Sequence, residues 1–497
     1  MNTLLPPIIE RTESYLASLP KKARKSIGQF FTSRETAAFM VSLFRVPSDL
    51  SQAMILDAGA GTGILSAALV ERLQEYQATI NSIHLVCYET NAQISGLLQE
   101  NLEFLTKQSA IPLSYELRNQ NYITSQRADY GKMLFSSAKQ EKFAFVIGNP
   151  PYLKIGKVAP EALSMPDLCY GAPNLYFLFA GMGLFNLKDD AEMVYIMPRS
   201  WTSGAYFTKF RKKFLSDGKL THIHIFDSRN DVFDHEDVLQ ETMIVRVKKT
   251  PIAPESVTIT STHGNHDFHD IHFYQAPYRA VVTGKDDYVL ILSNDTDKET
   301  VAQLSHFNYT LPDIGLKMRT GLTVDFRCRE LLSDNKTDDT VPLFYSQHIK
   351  NGKVVFPVSK QGEYIKTTQN SLLQKNTNLL FVKRFTSKEE HRRLQPAVYL
   401  SSEFKEYSKI STQNKINFIC GEKDLSTEQV FGLYVLFNST LYDNYYRILN
   451  GSTQVNSTEI NRIPIPELSI IEQMGKDLLA MHNMTETACN HVMEKYL

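Results

Sequence analysis

In the first half of the chain, short apolar runs alternate with longer stretches whose apolar positions recur at helical spacing. The runs lie at residues 53–57, 83–89, 113–117, 143–147, 192–197, 222–226 and 242–247. The run 143–147 lacks the in-and-out alternation of a strand with one wet face, so it predicts a strand covered on both sides. Helices are predicted over 64–76, 92–104 and 206–215, with another, started by Ser33 and Thr36, running through Phe44. Strands and helices taking turns in this way argue for an α/β fold: a doubly wound, Rossmann-like, mostly parallel sheet of seven strands. Residues 1–27 read as a helical lead-in broken by Pro6, Pro7 and Pro20, and residues 1–250 as one domain.

After Pro251 the alternation is lost. Residues 251–310 mix short strands with many Thr, His and Asp, and read as a connector or the start of a second domain. Residues 251–497 as a whole read as mixed α/β. An aromatic helix is predicted over 433–446, then a polar loop from Asn450 to Asn456, and a closing amphipathic helix over 467–497.

Composition refines this picture only slightly. A chain of 497 residues, 42% hydrophobic and 22% charged, is an ordinary globular protein too long for one core. The net charge of −1 gives no global signature for nucleic acid, so binding DNA requires a local basic surface. Five cysteines, Cys87, Cys169, Cys328, Cys420 and Cys489, have no paired spacing. They point to reduced thiols in a cytoplasmic protein, not to a disulfide frame or a zinc site. No run has the length of a membrane span, and the first residues lack a signal-peptide pattern.

The chemistry collects where the strands end. The run 143–147 stops at Gly148-Asn149-Pro150-Pro151-Tyr152. Two prolines remove two backbone donors and fix φ, so the chain leaves the sheet in a rigid turn. The turn reads either as a plain strand exit with a surface Asn and a packing Tyr, or as a ligand site of the kind α/β sheets keep at their carboxyl edge. Asp57 ends an earlier run and is followed by Gly59, Gly61 and Gly63, a spacing that departs from the dinucleotide fingerprint and from a P-loop. It reads as an acceptor for an amine-bearing ligand or as an acidic capping loop. Glu89, ending the second run, is placed to accept from ribose hydroxyls.

Together these strand ends resemble the S-adenosylmethionine-dependent methyltransferases that modify DNA adenine at N6, over roughly residues 24–248. In that resemblance Gly28-Gln29-Phe30-Phe31-Thr32 is the N-terminal motif that closes over the methionine part of the cofactor. Asp57 with Gly59, Gly61 and Gly63 is the glycine-rich motif, and Glu89 is the ribose acid. Asn149-Pro150-Pro151-Tyr152 is the catalytic tetrapeptide. The order, cofactor motifs first and a long C-terminal region last, is the γ arrangement. Asn121 stands where the family usually has an Asp against the cofactor adenine, and its amide can still meet an adenine edge.

The implied reaction moves a methyl group from S-adenosylmethionine, leaving S-adenosylhomocysteine. The side-chain oxygen of Asn149 and a backbone carbonyl, that of Pro150, accept from the adenine amine and favour a nucleophilic nitrogen. Tyr152 stacks on a base that has left the duplex. Phe233 is expected as a second aromatic wall or as core packing. Asn174, Tyr176 and Phe177 fall on the helix lining the pockets, where core packing is the favoured role.

Lys383, Arg384, Lys388, Arg392 and Arg393 form a basic cluster that suits phosphate contact in a target-recognition domain, or a solvated face. This tail and Gln454-Val455-Asn456 look similar to type II restriction-modification methyltransferases of the PstI/BsuBI kind. The resemblance implies double-stranded DNA as partner and pairing with a separate restriction endonuclease, with no metal and no membrane. No Asp…Glu-x-Lys set suggests a fused nuclease. A protein glutamine or RNA methyltransferase shares the tetrapeptide but has less need of a long C-terminal region. A nucleotide-dependent oxidoreductase leaves the tetrapeptide unexplained, and a catalytically inert DNA-binding module leaves Asp57, Glu89 and Asn149 unexplained. The recognition sequence is not written in these residues.

Overall fold

A computed structural model describes residues 3–18, 32–131, 141–227, 241–387 and 389–497. The chain divides into two compact units, Met1–Ser293 and Asn294–Leu497. In the first unit a nine-stranded sheet is built from β1 (Gln52–Ala58), β2 (Ser82–Tyr88), β3 (Leu113–Arg118), β4 (Phe143–Gly148), β5 (Leu187–Pro198), β6 (Lys219–Phe226), β7 (Thr242–Lys248), β8 (Ser256–Thr262) and β9 (His272–Pro277). Its spatial order is β3-β2-β1-β4-β5-β7-β6-β8-β9. The strands from β3 to β5 are parallel, and β7 runs antiparallel between β5 and β6. The chain order reverses beside β1, between β1 and β4, which is where open sheets of this kind leave a crevice for ligands.

Helices cover both faces. Ile64–Leu73 buries eight of its ten residues, and Ala92–Gln108 buries Ile94, Leu98, Leu102 and Leu105 at spacings of three and four. That spacing is one helix face, and each such side chain contributes about 1.5–3 kcal/mol of burial. The first helix, Leu5–Ser18, contains Pro6 and Pro7 in its opening turn, so these prolines begin the helix and do not break it. Ser33 accepts from the Thr36 amide and starts the helix Arg34–Ser42.

The seven strands expected from the pattern are present, and β8 and β9 extend the sheet past residue 250. The first unit therefore closes at Ser293, beyond the expected boundary. The reason is chemical. The buried face between β6 and β8 is polar: His222 Nε2 lies 2.8 Å and His224 Nδ1 2.9 Å from the Thr260 hydroxyl. Burial holds both imidazoles down to a pKa of about 3, so they are neutral packing groups that an apolar pattern does not register.

In the second unit, strands at Leu316–Thr320, Ile416–Gly421, Leu379–Lys383, Pro396–Tyr399, Lys353–Val354 and Ile349–Lys350 lie side by side in that order. Phe381, Tyr399 and Phe404 stack in its core at centroid distances of 5.2 and 5.0 Å. The region expected as one helix over 433–446 is two, Thr427–Asn438 and Thr440–Leu449, broken at Ser439, whose side chain caps the second. The closing segment is likewise two helices, Leu468–Met481 and Glu486–Glu494, separated by His482 in the left-handed region at φ 46°. Helices Thr427–Asn438 and Leu468–Met481 touch backbone to backbone. A side chain at Gly432 would strike the Ile471 carbonyl, and one at Gly475 the Glu428 carbonyl.

Candidate active site at the carboxyl edge of the sheet

Parallel pairing sets three strand ends level. Asp57 on β1 is in register with Cys87 on β2 and with Ile147 on β4. One residue past β2 is Glu89, and one past β4 is Asn149, so the three polar side chains belong to one edge. The loop after Asp57 turns through Gly59, Gly61 and Gly63 at φ 73°, 58° and 88°, a left-handed run that only glycine adopts without strain. Gly59 and Ala60 donate to the Tyr88 carbonyl, each at 2.9 Å. Glu89 accepts from the Gly61 amide at 3.1 Å and from the Asn91 amide at 2.7 Å. The acid thus braces the glycine loop while remaining an acceptor at its rim.

Asp57 is 1% exposed, and its Oδ2 accepts from Ser66 at 2.6 Å. Its Oδ1 is buried with no hydrogen-bond partner among the described residues. Burial is the main reason the carboxyl pKa rises to about 7; the Ser66 hydroxyl and amide oppose the rise, and the charge of Glu89 adds to it. Ser66, which no sequence motif marks, is the one polar residue among Ile64–Val70 of a buried helix, and that isolation was its signal.

The tetrapeptide packs against this loop. A Cβ on Gly59 would lie 3.9 Å from Pro151 Cδ and 3.5 Å from the Phe179 ring. Tyr195 of β5 lies beneath Gly148: a Cβ there would come to 3.0 Å from that ring, so the ring would have to give way by a few tenths of an ångström. The Asn149 amide nitrogen donates to the Thr32 hydroxyl at 3.3 Å, which brings the last residue of the N-terminal motif to the turn. With the donor end so engaged, the acceptor end of the amide is turned to the other side. The Tyr152 hydroxyl donates to the Ile196 carbonyl at 3.3 Å, and its ring meets Tyr176 edge-on at 6.1 Å. Tyr176 and Phe177 are buried, and Asn174 caps their helix, Leu175–Asn186, by accepting from the Tyr176 amide.

Asn121 stands at the start of a short helix. Its Oδ1 accepts from the Thr124 amide at 3.1 Å and its Nδ2 donates to Glu161 at 2.7 Å, so it caps the short helix Tyr122–Ser125. Gln29, Phe30, Phe233 and Lys388 lie outside the described residues.

The basic cluster is not one solvated face: Arg393 is buried, while Arg384 and Arg392 are half-buried. Arg393, 1% exposed, donates to the Ser452 carbonyl at 2.6 Å, to the Thr386 hydroxyl at 3.3 Å, and to the Asn450 carbonyl and side chain at 3.4 Å each. Arg392 donates to the Ser439 carbonyl at 2.7 Å and pairs with Glu486 at 2.9 Å. Arg384 donates to the Asn414 carbonyl at 3.0 Å and to Gln454 at 3.3 Å. These three guanidinium groups brace the 450–456 loop and the helices; the burial of Arg393 corrects the expectation that it meets a phosphate, while Arg392 lines a groove together with Lys383. Lys383 stays half-buried in a groove of about 460 Å³ that Lys350, Asn351 and Gln395 also line.

A glycine loop and a proline turn at the switch point of a doubly wound sheet define a methyltransferase fold. The profile of the Eco57I restriction-modification methylase family matches residues 70–233. The chain is 32% identical over 492 residues to the type II methyltransferase M.PstI of Providencia stuartii, covering 96% of this chain and 94% of that protein. It is 31% identical over 487 residues to the type II methyltransferase M.BsuBI of Bacillus subtilis, covering 96% and 95%. Among solved structures it is similar to the type IIL restriction-modification enzyme MmeI in complex with DNA, with a TM-score of 0.55 at 12% identity over 90% of this chain and 67% of that one. The chain belongs to the type II methyltransferases of restriction-modification systems.

Proposed function

We propose that this protein methylates N6 of an adenine flipped out of duplex DNA at a specific sequence, using S-adenosylmethionine, and so protects that sequence from a partner endonuclease. The observation that carries the reading is the seating of Asn149-Pro150-Pro151-Tyr152 against the glycine loop, with Asp57 and Ile147 in register. The residues fit the cofactor. A buried carboxylate oxygen of Asp57 awaits a donor such as an amine, three left-handed glycines keep the loop thin, and Glu89 sits at its rim. When bound, S-adenosylmethionine supplies an electrophilic methyl group.

The chain's own residues supply the rest. An exocyclic adenine amine is a weak nucleophile because its lone pair is shared with the ring. Acceptors at Asn149 Oδ1 and the Pro150 carbonyl would take its two hydrogens and return the lone pair to nitrogen. The prolines fix that carbonyl, which lowers the ordering required in the transition state. Tyr152 would floor the base, its ring already braced by Ile196 and Tyr176. No strong base is needed, since the proton leaves after transfer. The paired-endonuclease reading rests on the family alone.

The test is incubation with labelled S-adenosylmethionine and unmethylated duplex DNA, followed by nucleoside analysis and long-read mapping of the modified base. N6-methyladenine at one recurring sequence supports the reading. Label on cytosine, on RNA or on protein alone overturns it.

A further inference from the structure

Beside the tetrapeptide lies a surface patch that the proposed reaction does not use. Tyr170 and Tyr206 are 59% and 64% exposed, with ring centroids 6.5 Å apart. The Lys154 ammonium stands 5.9 Å from the centre of the Tyr206 ring. A Cβ on Gly171 would lie 3.7 Å from the Tyr206 ring and 3.9 Å from Lys157 Cε, which puts the second lysine on the same patch. Both lysines are exposed, and neither meets a carboxylate among the described residues.

The patch is exposed but firmly mounted. Past Tyr152, the Ile155 amide donates to the Pro173 carbonyl and the Leu175 amide to the Leu153 carbonyl, both at 2.8 Å, tying the segment to the pocket helix. Next to Tyr206, Phe207 turns inward and packs on Tyr176 and Phe177 at 5.9 and 5.6 Å. Tyr176 in turn meets Tyr152. A fully buried Arg211 donates to the carbonyls of Trp201 (2.9 Å), Gly204 (3.0 Å) and Asp286 (2.9 Å), which pins the loop that carries Tyr206. Two large rings held in water on a stiff support, with two exposed ammonium groups that meet no carboxylate among the described residues, make a surface complementary to bases and phosphates.

The geometry points to this patch as a ledge for the DNA that flanks the target nucleotide, a surface that rests on the methylation reading above. The lysines would hold phosphates, and Tyr170 and Tyr206 would stack on base faces laid open when the target leaves the helix. Because the ledge is joined to Tyr152 through Tyr176 and Phe207, it would fix the strand relative to the pocket.

The test uses the full chain. The unchanged protein is first assayed for N6-methyladenine; if none forms, the methylation reading fails and the ledge with it. Given activity, the double variant Tyr170→Ala/Tyr206→Ala should lower single-turnover methylation of a fully paired duplex about 10- to 100-fold, the range expected for lost base stacking. The rate should recover when the target adenine faces an abasic site, while melting temperature and cofactor affinity stay unchanged. Lys154→Gln/Lys157→Gln should reduce the slope of log affinity against log salt by about 1.8, two phosphate contacts' worth. Unchanged rates and slope would overturn the proposal and leave the patch to a protein partner. An equal loss on paired and abasic duplexes would overturn the stacking role.

Discussion

Asp57 and Arg393 are both ionisable and both 1% exposed, but the protein has given partners to the polar atoms of one more fully than to those of the other. Arg393 sits among three acceptor residues that take up its guanidinium nitrogens. Asp57 has Ser66 on one oxygen and no partner among the described residues on the other. Burying a charge is costly, and a scaffold recovers the cost with partners. A group left short of partners, at the carboxyl ends of the strands and with its pKa pushed up to about 7 by burial, is where a ligand site is to be sought. The difference lies in what surrounds each charge, not in how deeply it is buried.

The largest effect on this contrast is expected from Asn149→Ala, which should reduce methyl transfer by on the order of a thousandfold while S-adenosylmethionine binding measured by calorimetry changes little. Normal turnover would remove Asn149 from the chemistry. Arg393→Met should destabilise the second unit by about 3–4 kcal/mol in denaturant unfolding, because Asn450 and Ser452 lose their donor. If instead stability holds and DNA affinity falls with a shallower salt slope, the arginine is a phosphate contact after all.

Asp57→Asn should weaken cofactor binding about 10- to 100-fold without destabilising the apoprotein. The folded carboxyl has a raised pKa, so its contribution to stability is present below the ordinary range near 4 and is lost as pH rises through about 7. The amide variant should flatten that decline. The histidines behave oppositely. His222 and His224 have folded pKa values lowered to about 3, so the neutral fold loses stability as pH falls below 6.5. The loss at pH 5 should be roughly 2 kcal/mol per histidine, removed by His222→Gln or His224→Gln and read from urea midpoints. The smallest effect is expected from Lys383→Gln, a drop of about 0.9 in the salt slope of DNA binding with no change in stability.

The strand ends were legible because period and punctuation agree there. Apolar runs stop at Asp57, Glu89 and Asn149, and parallel pairing then has one way to bring them level. β8 was not legible, since the face it shares with β6 is made of His and Thr, whose burial depends on partners some 36 to 38 positions away. Arg393 was misread for the same reason. Its acceptors lie 57 and 59 positions along the chain, and a run of charge says nothing about what folds back onto it. The hydrogen bond from Asn121 to Glu161, 40 positions on, was likewise invisible in the sequence.

The antiparallel β7 has a consequence for the order in which the protein is made. Until Thr242–Lys248 leaves the ribosome, β5 and β6 have no neighbour on the sides that later face each other, although every strand carrying Asp57, Glu89 and Asn149 has already been synthesised. A nascent chain paused there leaves one edge of β5 and, since β8 is also still to come, both edges of β6 open, the kind that recruit other chains. Truncation just before Thr242 should therefore aggregate, and an independently made β7 peptide added in trans would be expected to reduce the aggregation by pairing with β5 and β6.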